Sequence, residues 1–459
     1  MSARTPGAAL LALALVAGCG NSSDHASKKK AGDAGPGIRG AGRLGPLPQS
    51  GAAPAHPESE DGKAAVLCPL DSDDPDAVLD ETGRLLYDTG DYDKALACAE
   101  LSVDLVPQAV EAHHYRAAAL AALGRYAEAQ VAFAMALARD PDDPETLAAA
   151  ADFYINIALP KARSNVQLGL EYARRGSGRA ASRRRLDRRL RARLFLLEAE
   201  ALNDLGQSDV ALGRVDAALK LSPKMSAALH ERGVTLFSLC RFRAAEEAFL
   251  AVLREHPDDP YAHHHLGLIY ERDNREGDAE AHFARARALA PDDFAAPIML
   301  SPEEFRAEVD EAIAEQPPDV RADLGKVQLE LADLPALDDL VAVDPPFAPT
   351  IMGLYRGLPL GVEEGTVAAS SGTGKAAAES ATLDLENDPV ASAAPAAARA
   401  PDHDRDRVPA RAIVLYRKNL GRAVRTREEL DRQIRRTLIH EIGHLRGLDE
   451  DDLRRRGLE

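Results

Sequence analysis

The chain has 459 residues, a length for two or three domains, and a formal net charge of −18. It has no Trp, few aromatics and abundant Ala, Leu and Arg, a profile of helices with small, closely packed side chains. The negative charge excludes broad nucleic-acid binding and fits a soluble, self-repelling surface.

Arg4 gives a positive start, and Ala8 to Ala17 is an apolar run too short to span a bilayer as a helix. The run ends Val16-Ala17-Gly18-Cys19, with small residues before a cleavage point as in a signal peptide. A Cys directly after them resembles the lipobox of bacterial lipoproteins. That resemblance implies removal of residues 1–18, a lipid on Cys19 and anchorage in the bacterial cell envelope. Gly20, not Asp, follows Cys19, which by analogy with enterobacterial sorting favours the outer over the inner membrane. Residues 19–75 are rich in Gly, Ser, Pro, Ala and charge and read as a disordered tether. Cys68, Cys98 and Cys240 are odd in number and far apart, so no disulfide framework is expected.

A repeat follows. Gly90, Tyr92, Ala95 and Pro107 recur 34 positions later as Gly124, Tyr126, Ala129 and Pro141. The frame returns at Gly206, at Cys240 and at Asn274, which gives five in-frame units. Gly83, Ala117, Ala199, Gly233 and Gly267 let paired helices approach, Phe133, Phe249 and Phe283 fill the space between units, and Pro ends each second helix. These positions resemble the tetratricopeptide repeat, whose period is about 34 residues. The resemblance implies an α-solenoid over 76–296 with a protein partner in its groove. Leu147, Ala151 and Tyr154 look like the start of a sixth, degenerate unit, followed by an irregular insertion at about 160–190. The arginine-dense stretch from Arg174 to Arg193 reads as a solvated face rather than a patch for an acidic partner. His263, His264 and His265 point about 100° apart on a helix and so cannot share one metal ion.

From 297 to 459 the frame is lost. Ser301 with Glu304 predicts a capped helix, and Asp319 to Gly325 a short one. Strand character marks Val327 to Leu331, Leu340 to Val343, Ile351 to Tyr355 and Ala412 to Tyr416. Residues 362–407 read as a disordered insertion, in which His403 between Asp402 and Asp404 lacks fixed geometry for metal. A final helix starts at a Thr426–Glu429 capping box and stops at Gly447. It carries His440-Glu441-Ile442-Gly443-His444. Two imidazoles four residues apart project from one face and can bind one Zn²⁺. Zinc lowers the pKa of a bound water towards ~7, and Glu441 beside it is the candidate general base. An acidic run, Asp449-Glu450-Asp451-Asp452, follows the stop.

Ser301 to Phe305, Gly353 to Gly357, Ile413 to Arg417 and the motif at His440 occur in the order seen in small bacterial zincin-like metallopeptidases. The resemblance implies a small α+β domain and zinc-dependent hydrolysis of a protein or peptide substrate. In zincins with a longer motif the third ligand lies ten residues after the first His. Here that position is Glu450, with Asp449 and then Asp451 as alternatives. The expected protein is mostly α, a repeat solenoid followed by a zincin-like domain, acting as a membrane-tethered metallopeptidase. The alternative is an envelope adaptor with an inactive zincin domain, and a hydrolase of cell-wall amides is a third possibility.

Overall fold

A computed structural model describes residues 11–12, 67–159, 162–178, 186–361 and 411–457. Cys19, most of the expected leader and tether, Arg179 to Arg185 and the expected insertion with His403 lie outside the described residues, as does the Asp451 side chain. Among the described residues no helix is long and apolar enough to cross a membrane. The chain divides into two compact units: residues 20–235 with 244–262, and residues 1–19 and 236–243 with 263–459.

The first unit is made of helix pairs. They are α1 (Pro75–Arg84) with α2 (Tyr92–Leu105), α3 (Val110–Ala122) with α4 (Tyr126–Arg139), α5 (Pro144–Asp152) with α6 (Arg163–Ser177), and α7 (Arg188–Asp204) with α8 (Ser208–Leu221). Short π-helical turns extend α1 to Thr89 and α5 to Ile157. Helices α9 (Ser226–Ser238) and α10 (Phe242–Glu255) cross the line between the units. Helix α11 (Pro260–Arg272) begins in the first unit and runs from His263 in the second, and α12 (Glu276–Leu289) belongs to the second.

The 34-residue period is written into the turns. Gly90, Gly124, Gly206, Cys240 and Asn274 all have positive φ, between 57° and 77°. Glycine adopts this conformation without cost, and Asn tolerates it. At the last four of these turns the chain closes its helix with the same two bonds, for example Gly124 N to Ala121 O at 3.1 Å and Arg125 N to Leu120 O at 2.9 Å. This is the Schellman pattern, which satisfies carbonyls left open at the helix end. The small residues act as expected. A Cβ on Gly233 would meet the Phe249 ring at 2.7 Å, and one on Gly267 would meet Phe283 at 2.6 Å. Ala95 and Ala129 are fully buried in one cluster with Phe133 and Phe153, so close helix approach rather than bulk makes the core.

Two expectations are corrected here. The stretch read as an irregular insertion contains α6, whose Val166, Leu170 and Ala173 are buried at helical spacing. A Cβ on its Gly169 would lie 2.6 Å from Ile155, so α6 is the close-packed second helix of a pair whose turn lacks the repeat's usual glycine. Cys68 and Cys98 form a disulfide, with Cα atoms 4.6 Å apart. Sequence separation hid this pairing: Cys68 lies just ahead of α1 and packs on the same cluster that buries Cys98.

In the second unit, α13 (Pro302–Ala314) starts at the Ser301–Glu304 capping box. Then come α14 (Pro318–Leu324), β2 (Gln328–Ala332), α15 (Leu337–Leu340), β3 (Gly353–Arg356), β4 (Ala412–Tyr416), α16 (Arg417–Arg422), α17 (Arg427–Leu445) and α18 (Glu450–Arg455). Strand β2 is parallel to β4, and β3 is antiparallel to β4 with Leu354 opposite Val414. A two-residue strand, β1 (Leu11–Ala12), runs antiparallel to β3. Leu340 to Val343 is not a strand. Leu340 ends the short helix α15 as a fully buried anchor, and Val341 and Ala342 are both exposed, so the alternation a half-buried strand needs is absent. Phe305 and Val309 of α13, Ile413 and Leu415 of β4, and Leu430, Ile434, Leu438 and Ile442 of α17 make one core. The last helix pair is tied into this unit: Glu271 accepts from Arg422 at 2.5 Å, and Arg272 donates to Pro335 O at 2.7 Å.

Candidate metal centre

Helix α17 begins at the expected capping box: Glu429 N donates to Thr426 Oγ1, and the Glu429 carboxylate accepts from Thr426 N, both at 3.2 Å. From this fixed start the apolar stripe Leu430, Ile434, Leu438 and Ile442 faces the core. The same helix carries His440, Glu441 and His444, all three fully buried. Asn419 of α16 holds the approach to β3, donating to Pro349 O at 3.1 Å and Ile351 O at 2.7 Å. Strand β3 then passes tightly under the helix. A Cβ on Gly353 would lie 2.8 Å from Glu441 Oε1 and 2.5 Å from Thr437 Cγ2. Gly353 is therefore the floor against which the Glu441 carboxylate is set.

The helix ends in the same Schellman pattern as the repeats. Gly447 has φ +83°, Gly447 N donates to His444 O at 2.9 Å, and Leu448 N donates to Gly443 O at 3.0 Å. The turn brings the Leu448 carbonyl to 2.9 Å from His444 Nδ1. A carbonyl can only accept, so Nδ1 carries a proton, and Nε2 is the ring nitrogen left facing inward. Backbone ligation of this kind orients a metal-binding imidazole.

The inward atoms converge. His440 Nε2 and His444 Nε2 are 3.0 Å apart, and Glu450 Oε1 lies 3.7 Å from the first and 3.4 Å from the second. Ligand atoms held ~2.1 Å from one tetrahedral zinc stand about 3.4 Å from each other, so this triangle has the dimensions of a zinc face. It is the one His/Cys/Asp/Glu group of this size and closeness among the described residues. Burial raises the Glu450 carboxyl, but the imidazoles of His440 and His444 outweigh it and hold it at about 2. The carboxylate is thus charged, as a ligand must be.

Asp449 and Asp452 have different work. Asp449 Oδ1 accepts from Asp452 N at 2.7 Å and caps α18. Asp452 pairs with Arg455. The three consecutive histidines of α11 part as their spacing requires. His263 Nδ1 meets His282 Nδ1 at 2.9 Å, His264 stacks on Phe294, and His265 lies edge-on to Phe237. Burial pushes the His264 imidazole down to about 3. Of the arginine-dense stretch, Arg175 pairs with Asp142 at 3.0 Å and Arg193 with Asp152 at 2.8 Å. Sequence reasoning did not single out Gly353 or Leu448 as parts of the site. Gly353 stood in a quoted segment with no reason attached, and a main-chain carbonyl leaves no mark in side-chain identity.

The model of the zincin-like metallopeptidase family matches residues 379–458, and that of the tetratricopeptide repeat matches residues 81–144 and 230–294. The chain therefore carries tetratricopeptide repeats and a C-terminal zincin-like metallopeptidase domain. No curated protein sequence matches it. Among solved structures it is similar to PilF of Pseudomonas aeruginosa, at 14% identity and TM-score 0.40 over 51% of this chain and 97% of that one. It is similar to PilW, a type IV pilus biogenesis factor, at 17% identity and TM-score 0.42 over 48% and 94% of the two chains. YrrB, a repeat protein with an unusual peptide-binding site, matches at 17% identity and TM-score 0.33 over 43% and 94%.

Proposed function

We propose that this protein is a zinc-dependent metallopeptidase, tethered to the bacterial envelope by a lipid on Cys19, whose repeats bind protein or peptide segments. The observation that carries the reading is the zinc-sized triangle of His440 Nε2, His444 Nε2 and Glu450 Oε1. Zn²⁺ held there would supply a Lewis acid and acidify water for attack on a peptide carbonyl. Glu441, buried beside the two histidines, takes the proton of the attacking water and delivers it to the leaving amine. Gly353 keeps that carboxylate in place from the strand side. The Leu448 carbonyl accepts from His444 Nδ1 and so leaves Nε2 as the atom that faces the metal. The tether rests on the small residues before Cys19, and the Cys68–Cys98 bridge fits an oxidising envelope compartment.

The test is elemental analysis of the purified full chain. One zinc per chain is expected in the wild type, and much less in His440→Ala at equal helical content. A folded wild type that takes up no zinc sinks the peptidase reading and favours the adaptor, in which the repeats alone act.

A further inference from the structure

Gly443 stands between the two histidines of α17, and its bare Cα faces α18. A Cβ built there would lie 2.3 Å from Leu453 Cδ2 and 3.5 Å from Leu453 Cγ. Leu453 is fully buried and takes the space a side chain at 443 would need. Leu453 follows Glu450 by three residues on a helix, so the two side chains leave α18 on one face. One face thus makes two contacts with α17: Leu453 seats on Gly443, and Glu450 Oε1 reaches the imidazoles at 3.4 and 3.7 Å. Asp449 caps the start of α18, and Leu453 N bonds Asp449 O at 3.0 Å, so the short helix moves as one piece.

We propose that Gly443 and Leu453 are a positioning pair that sets the depth of α18 and so places Glu450 as the third metal ligand. This inference rests on the zinc-centre reading above. Carbon atoms pack at about 3.5–4.0 Å, so a methyl at 443 drives Leu453 back by roughly 1 Å. Metal–ligand distances tolerate only about 0.2 Å, so that shift takes Glu450 out of range. Alanine is the better helix former, so α17 itself gains from the change and the damage is confined to the seat.

The experiment measures the zinc Kd of the full chain by chelator competition and the visible spectrum of the Co²⁺-loaded protein, which reports ligand number and geometry. Gly443→Ala is expected to raise the zinc Kd at least ten-fold, as loss of a ligand's support does, and to change the Co²⁺ spectrum. Leu453→Val removes the Cδ2 atom and ends at the Cγ level. The double variant Gly443→Ala/Leu453→Val is therefore expected to return to within about three-fold of wild type. In a Glu450→Gln background, Gly443→Ala is expected to add nothing, since its effect passes through Glu450. A Gly443→Ala protein that binds zinc like wild type overturns the proposal. So does a double variant as weak as the single one, or full additivity with Glu450→Gln. If Gly443→Ala also loses helical content, the double variant decides, because only relief of the Leu453 clash restores both fold and zinc. A wild type without stoichiometric zinc overturns the metal-centre reading and this proposal together, whereas wild-type binding with an unaffected Gly443→Ala overturns the positioning role alone.

Discussion

The turn that closes α3 at Gly124 and the turn that closes α17 at Gly447 are one motif with two uses. Both glycines have positive φ, +73° and +83°. Both turns return two backbone amides to the helix they end. At Gly124 the turn reverses the chain towards α4, and the same local geometry recurs at Gly206, Cys240 and Asn274. At Gly447 it places the Leu448 carbonyl on His444 and starts the path to Glu450. The repeats use the motif many times, so no single copy carries chemistry. The site uses it once, and every atom downstream depends on it.

The largest test of this contrast is Glu441→Gln. The amide keeps the size of the side chain on the Gly353 floor and leaves the three donor atoms untouched. Peptide hydrolysis is expected to fall by about 10²–10⁴-fold with zinc content unchanged. Hydrolysis that survives in this variant removes Glu441 as the base.

On the repeat side the largest effect belongs to the bridge ahead of α1. Cys68–Cys98 closes a loop of 30 residues, and such a crosslink contributes about 3.6 kcal/mol by restricting the unfolded chain. Cys68→Ser/Cys98→Ser is expected to lower the melting temperature of the N-terminal helices while zinc affinity stays at the wild-type value. A matching fall in zinc affinity would erase the distinction between the two regions.

The turns themselves come next. Gly124→Ala and Gly447→Ala each force a Cβ into the left-handed region, at about 1 kcal/mol. Equal losses of stability are expected in thermal melts. Zinc Kd is expected to rise only in Gly447→Ala, because only there does the turn hold a ligand. Equal zinc affinity in both variants would mean that the Leu448 contact is incidental.

What could be read from the sequence follows the same division. The repeats were legible because a period repeats its own evidence: five turns and five small residues agree. Helix α17 was legible from its capping box, its apolar stripe and the four-residue spacing of His440 and His444. Features made by distant pairs were not. Nothing local marks Cys68 as the neighbour of Cys98, or Leu453 as the occupant of the space at Gly443. Helix α6 was hidden because its pairing with α5 rests on Gly169 against Ile155, outside the repeat's usual positions. Leu340 to Val343 misled because a short apolar run looks the same whether it forms a strand or anchors one turn of helix.

The smallest expected effect is the most discriminating for the acidic run. Asp449, Glu450 and Asp451 were alternatives in sequence, and the geometry gives Asp449 the capping position on α18 and Glu450 the place beside the imidazoles. Asn caps a helix as well as Asp does, so Asp449→Asn is expected to change stability by only a few tenths of a kcal/mol. Its zinc Kd is expected to stay within about two-fold of wild type, since no metal ligand has been altered. Asp449→Ala, which removes the cap, costs about 1 kcal/mol and loosens α18. Glu450→Gln leaves the cap intact and is expected to weaken zinc far more than either. If Asp449→Asn instead loses zinc as Glu450→Gln does, the carboxylate at 449 is a ligand, and α18 must turn its first residue away from the imidazoles when metal binds.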